Sequence, residues 1–323
     1  MRSDTTRPAT TWVVTDGIIG TEKQCVGLAE RIGLTFRVKR IKVRAPWRWL
    51  PPQAWPVPLA ALDPAGDPLT APWPDLLIAS GRKAVAISVA IRRAAGGRTF
   101  TVQIQNPVMS LRHFDLVVAP RHDRLRGPNI VSTMGALHGL TPEVLARAAE
   151  RFAAQVAGLA RPHVLVLVGG ANRVFRFGVR EAEALAADLA ALPGTLLVTT
   201  SRRTGADQTR ALIAGLPAGR AIVWDGTGDN PHPGWLGLAD AVVVTGDSVN
   251  MVTEACAAGR PVYVVDLPGG SAKFRTFHEL MRNEGHTRPF AGRLEDWMPI
   301  RLDDTETVAA IVRDKLKERG IAA

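Results

Sequence analysis

The run Gly246-Asp247-Ser248-Val249-Asn250-Met251, with Glu254 shortly after it, is the densest group of chemistry-bearing residues in this 323-residue chain. It follows an apolar, β-branched stretch and opens a helical pattern. Gly246 permits a tight strand-to-helix turn, and Asp247 or Ser248 is suited to cap the helix that follows. The amides opening such a helix, at the positive end of its dipole, favour a phosphate. Glu254 lies less than two helical turns past Ser248, where a carboxylate can accept hydrogen bonds from ribose hydroxyls.

Further candidates stand just after other apolar stretches, where ligands of open parallel sheets bind. Gly169 and Gly170, followed by Asn172, let a ligand or the other domain approach the backbone closely. Ser201, Arg202 and Arg203 end the next strand, and arginine there can contact phosphate bidentately. Asp229-Asn230-Pro231-His232 lies in a Gly/Pro-rich loop able to face a base or sugar, with His232 alone read as an ordinary loop histidine. In the first half, Asp16-Gly17 with Gly20, then Ser80-Gly81-Arg82, repeat the strand–glycine–helix arrangement. Gln105-Asn106 and Arg121-His122-Asp123 end two further strands. Asp16 and His122 are the candidate general bases. No nucleotide-binding GxxxxGK[ST], zinc HExxH or nucleophile GxSxG pattern occurs. Asp303-Asp304 makes a poor metal pair beside the last helix, so neither metal nor cofactor is expected.

Short apolar strands alternating with helices must position these groups. Strands are predicted near 12–15, 35–38, 76–79, 101–105 and 116–119, and again near 164–168, 196–200, 221–223, 241–245 and 262–265. Helices are predicted near 20–32, 82–95, 179–191, 207–215, 248–258 and 305–318, and the amphipathic stretch 142–159 is expected to hold the join between the halves. The pattern is that of α/β parallel sheets covered on both faces, built twice in series. The expected division is 1–158, 159–300 and a final segment 301–323 whose helix crosses back to the first domain.

Hydrophobic content of 46% and charged content of 22% allow two ordinary globular cores. The two cysteines, Cys25 and Cys256, are far apart and read as small buried hydrophobes of a protein from a reducing cytoplasm. The polar start, carrying Arg2, Asp4 and Arg7, fits no signal peptide, and no run approaches the ~20 apolar residues of a membrane helix. A net charge of +10 favours an anionic partner. Nucleic acid is not expected, because the strand, zinc and helix-turn-helix patterns of its readers are missing. One insertion, 46–74, is rich in proline and holds Trp47, Trp49, Trp55 and Trp73 behind a basic run from Arg37 to Arg48. Basic side chains beside tryptophan suit an anionic membrane surface, contacted through 37–73 as a peripheral protein of the inner membrane; the plainer reading packs the indoles onto the domain.

Taken in order, Asp16-Gly17 with Gly20, Ser80-Gly81-Arg82, Gln105-Asn106-Pro107, Gly169-Gly170, the 245–251 run with Glu254, Phe277-His278 and Arg288-Pro289-Phe290 resemble the bacterial relatives of the plant "elongated mitochondria" fission family. More distantly, 246–261 is similar to the donor-binding segment of the lipid-linked N-acetylglucosaminyltransferase of cell-wall synthesis and of the UDP-N-acetylglucosamine 2-epimerases. These likenesses imply a glycosyltransferase-B (GT-B) fold, two Rossmann-like domains facing a central cleft. They also imply a diphosphate held at 248–251 and a ribose held by Glu254. The chain departs from the transferase after its first strand, where Thr15-Asp16-Gly17-Ile18-Ile19-Gly20 replaces a Gly-rich turn with histidine. The expectation is a nucleotide-sugar-binding protein, a metal-independent glycosyltransferase. The alternatives are an epimerase or hydrolase of nucleotide sugars and a non-enzymatic, membrane-peripheral member of the fission family.

Overall fold

The computed structural model describes residues 9–321, so Arg2, Asp4 and Arg7 lie outside the described residues. The chain divides into two compact units, Met1–Gly139 with Asp303–Ala323, and Leu140–Leu302. Each is built on a six-stranded sheet whose strand pairs are all parallel.

The first unit runs β1 (Thr11–Thr15), α1 (Ile19–Ile32), β2 (Phe36–Arg40), β3 (Leu76–Ser80), α2 (Arg82–Ala94), β4 (Phe100–Ile104), β5 (Leu116–Pro120) and β6 (Ile130–Thr133). Its strand order is β2-β1-β3-β4-β5-β6. Alternate side chains leave a strand on opposite faces. Val13 and Ile78 therefore meet Cys25, Leu28 and Ile32 of α1 on one face. Trp12, Val14 and Leu77 meet Ala84, Ile87 and Ile91 of α2 on the other. Burial on both faces is why these strands read as continuous apolar runs.

The insertion between β2 and β3 carries three short 3-10 turns, Trp47–Trp49, Pro52–Ala54 and Pro58–Ala61. Trp55 is buried, and Trp47 and Trp73 pack against the same α2-side core. Trp73 meets Trp12 edge to face at 6.2 Å. Trp49 alone of the four indoles points out, 68% exposed.

The second unit runs α3 (Pro142–Val156), β7 (His163–Val168), α4 (Val179–Ala190), β8 (Thr195–Thr200), α5 (Ala206–Gly215), β9 (Ala221–Trp224), α6 (His232–Leu238), β10 (Ala241–Thr245), α7 (Val249–Cys256), β11 (Val262–Val265), α8 (Ala272–Asn283) and β12 (Arg288–Pro289). The order β9-β8-β7-β10-β11-β12 is the 3-2-1-4-5-6 arrangement of dinucleotide-binding sheets. The order reverses between β7 and β10, and there the crevice at the strands' carboxyl ends opens.

The division differs from the expected join at 158. Helix α3 belongs with the second unit because it packs along α6, where Gly234 and Gly237 let the two backbones approach. A Cβ at Gly234 would lie 2.4 Å from Phe152, and one at Gly237 2.6 Å from the Leu145 carbonyl. The last helix, α9 (Asp304–Glu318), belongs to the first unit. It buries Val308, Val312 and Leu316 against α1, and Arg31 of α1 pairs with Asp303 at 3.0 Å and Glu306 at 3.1 Å. Asp304 accepts the Met134 and Gly135 amides. Both aspartates are thus fasteners of this helix. Cys25 and Cys256 are buried, and burial pushes both thiols far above their ordinary range.

Candidate functional site

In the second unit the strand register carries on past the sheet and sets Gly246 beside Gly169 and Asp247 beside Gly170. The two turns are tied together by Asp247, whose side chain is fully buried. Its carboxylate accepts from the Thr245 hydroxyl at 2.6 Å, the Gly170 amide at 3.2 Å and the Arg203 guanidinium at 2.7 Å. Thr245 Oγ1 in turn accepts the Gly169 amide at 2.8 Å. The glycine pair therefore makes room for Asp247 and for the Arg203 backbone of the same unit. A Cβ at Gly169 would lie 2.0 Å from Asp247 Oδ1, and one at Gly170 2.1 Å from the Arg203 carbonyl.

Several other expected ligand residues are also taken up by this framework. Asn172 Oδ1 accepts the Val174 and Phe175 amides, and its Nδ2 donates to the Asp247 carbonyl. The Ser201 hydroxyl donates to the Gly169 carbonyl at 2.9 Å. Gly246 is buried and donates to the Val265 carbonyl. What remains facing outward is a narrower set. Arg202 is exposed and Arg203 is 41% exposed although one edge holds Asp247. Ser248, Val249, Asn250, Met251 and Glu254 are half-buried along the start of α7. Ser248 is the N-cap, its Oγ accepting the Met251 amide at 3.3 Å, which settles the choice between Asp247 and Ser248 as cap.

Two histidines named in the sequence take up partners that the sequence did not assign to them. His278 of α8 donates Nε2–H to the Gly246 carbonyl at 2.8 Å. Since a carbonyl only accepts, Nε2 carries a proton. Burial pulls its pKa below the ordinary value, with Arg282 adding in the same direction, against the pull of the Gly246 hydrogen bond, Asp266 and Asp247. His232, read as an ordinary loop residue, opens α6 and places Nε2 3.8 Å from Glu254 Oε2. The signal for it is only the Pro231–Pro233 frame that starts a helix.

In the first unit the order reverses between β1 and β3, and register sets Asp16 opposite Gly81. The Asp16 side chain is only 6% exposed, its Oδ1 makes no hydrogen bond, and Oδ2 is 3.9 Å from Lys83 Nζ. Gly81, at φ +89°, opens α2 with no side-chain cap. Beside it the Ser80 hydroxyl is buried without a hydrogen-bond partner, and Arg82 is exposed. Gly17, at φ +78°, makes the turn into α1, where Gly20 lies in the first turn. Gln105 takes a left-handed φ of +70°, and Asn106 folds back on the Val108 amide at 2.9 Å. His122 is 6% exposed within a 3-10 turn, Nε2 3.9 Å from Asp123. Both candidate bases are thus largely buried.

Two all-parallel sheets in series, the second in 3-2-1-4-5-6 order, define a GT-B-like α/β protein. Solved structures agree. The UDP-GlcNAc 2-epimerase from Methanocaldococcus jannaschii aligns at TM-score 0.52 and 11% identity over 95% of this chain and 99% of its own. Acinetobacter baumannii MurG aligns at 0.50 and 14% over 97% and 92%, and Arabidopsis thaliana UGT89C1, complexed with UDP, at 0.51 and 13% over 98% and 92%. The chain belongs to the mitochondrial fission ELM1 family, whose model matches residues 19–316. It is 34% identical over 277 residues to the mitochondrial fission protein ELM1 of A. thaliana, a match covering 76% of this chain and 65% of that protein. An uncharacterized protein of Rickettsia prowazekii (strain Madrid E) is 24% identical over 294 residues, covering 76% of this chain and 80% of the relative.

Proposed function

We propose that the second unit binds a nucleotide diphosphate sugar and that the protein is a metal-independent glycosyltransferase. One observation carries this reading: Arg203, locked by a fully buried carboxylate yet 41% exposed, stands at the switch point of a dinucleotide-type sheet beside the start of α7. A locked guanidinium loses little further freedom when it meets a phosphate. On this reading the diphosphate lies against the first turn of α7 and the outward edge of Arg203, with Arg202 adding charge. Glu254, backed by His232, accepts from the ribose hydroxyls.

The chemistry follows from these groups. The bond from the sugar's anomeric carbon to the diphosphate oxygen breaks, and the diphosphate leaves with both electrons. The helix dipole and the two arginines offset the charge that develops there, the largest catalytic contribution in such a transfer. The acceptor hydroxyl forms the new bond to the anomeric carbon and gives up its proton to a general base.

Calorimetric titration with UDP and UDP-sugars in the presence of a chelator tests the reading. Wild-type protein is expected to bind, and Glu254→Ala to bind about tenfold or more weakly, the usual scale for hydrogen bonds to a charged group. Equal affinity of Glu254→Ala and wild type, or absence of binding by wild type, overturns the assignment. NMR of UDP-sugars incubated without acceptor separates the chemistries. Isomerised or hydrolysed sugar would replace the transferase reading by an epimerase or hydrolase on the same site.

A further inference from the structure

We propose that the first unit docks on an anionic membrane surface through a rigid apolar tip made by Trp49, Leu50 and Val57 of the insertion with Val108 beside them. Trp49 is 68% exposed, Val57 59%, Val108 72% and Leu50 39%. Single exposed apolar residues are ordinary, but these four belong to two segments pinned together. The Gln53 side-chain amide donates to the Val108 carbonyl. Behind the tip, Trp55 is buried in the α2-side core, its indole N–H donating to the Leu50 carbonyl at 3.4 Å. The 3-10 turns on either side hold the tip in place, so docking costs little ordering entropy.

Charge decides which partner fits. No aspartate or glutamate occurs between Glu30 and Asp63, or between Asp75 and Asp115, the two stretches that build the tip. Arg40 is neutralised by Glu22 and Arg92 by Asp115, whereas Lys42, Arg44, Arg48, Arg93 and Arg112 have no carboxylate on their own stretch. Arg48 lies over the Trp49 ring at 4.5 Å. Arg93 lines a shallow hollow with Gln53, Trp55 and His113. An indole beside guanidinium groups is the composition of a headgroup interface. Leu50, Val57 and Val108 offer no ring for stacking nucleic-acid bases, while an acyl boundary accepts them.

Vesicle flotation of the full chain tests the proposal. It compares phosphatidylcholine vesicles with vesicles containing phosphatidylglycerol, at low and at high salt. The protein is expected to float with the anionic vesicles at low salt, to be released as salt shortens the reach of charge, and to ignore pure phosphatidylcholine. Trp49→Ser with Leu50→Ser is expected to weaken retention roughly tenfold or more, the scale of two lost apolar insertions. Both side chains are exposed, so thermal unfolding of this variant should match wild type. Met298→Ser, at a side chain 95% exposed on the second unit, is expected to change nothing. No retention on anionic vesicles at low salt overturns the proposal. So does retention untouched by the double variant, which would leave a general polyanion-binding surface, and so does equal loss in Met298→Ser.

Discussion

Asp247 shows how a residue chosen for ligand chemistry can instead be a fastener. In the sequence it stands in a turn with Ser248, and either side chain could cap the helix that follows. The structure turns the carboxylate inward, onto two turn residues and one arginine, and leaves Ser248 as the cap. Removing one partner of a buried ion pair typically costs ~3–5 kcal/mol. Arg203 is 41% exposed and can be re-solvated, so Asp247→Ala is expected to cost about 2–3 kcal/mol in urea unfolding. Gly169→Ala should be at least as damaging, since its methyl would lie 2.0 Å from Asp247 Oδ1. The double variant is expected to cost less than the sum, because the methyl enters the space the carboxylate vacates. Strict additivity would show that the glycine is required for another reason.

Elements with strong periodicity were legible, and those fixed by tertiary contact were not. The strands β1, β3, β7, β8 and β10 are predicted because burial on two faces demands unbroken apolar runs, and α1, α2, α4 and α7 because glycine or serine marks their starts. β6 was missed as a half-exposed edge strand of four residues. α6 was missed because its seven residues hold Pro233, Gly234 and Gly237, which disfavour a helix until α3 packs against them. α8 was missed because Lys273, Arg275, Glu279 and Arg282 hide a narrow apolar stripe of Phe277 and Met281. That helix supplies His278, named in the sequence only within the Phe277-His278 pair of the resemblance, so its support of the Gly246 turn was not foreseen. A pH effect follows from it. The folded-state pKa of His278 is depressed by burial, so the unfolded chain takes the proton first. Stability contributed above the ordinary value of about 6.5 is lost as pH falls through that value toward the folded one. His278→Gln keeps an N–H donor but does not titrate. Its unfolding midpoint is expected to depend less on pH across this window than that of wild type. His113, also pulled down chiefly by burial, is common to both proteins, so the difference isolates His278. Parallel pH profiles would assign the window to other groups.

At the scale of the whole molecule the two units differ in how the chain supplies them. The second is contiguous, Leu140–Leu302, with its own apolar core from Val164 through Leu267. The first is not, because Val308, Ala309, Val312 and Leu316 of α9 fill the α1 side of its sheet. Asp115 adds a second clasp, holding Arg92 at 3.0 Å, the Thr101 amide at 2.9 Å and Arg319 at 2.6 Å. Burial alone would raise its pKa, but these partners together pull it down. Deleting α9 removes four fully buried apolar side chains at once, at about 1.5–3 kcal/mol for each large one. That loss is comparable with the whole stability of a typical domain, about 5–15 kcal/mol. A fragment of residues 140–302 is therefore expected to unfold cooperatively by itself, with near-ultraviolet circular dichroism of packed aromatics. Residues 1–139 alone should lack such a transition and regain it when 303–323 is restored through a short linker from residue 139. If residues 1–139 fold as firmly alone as with the linked helix, α9 is a covering rather than a part of the first core. Failure of 140–302 to fold would show that the second unit depends on the first.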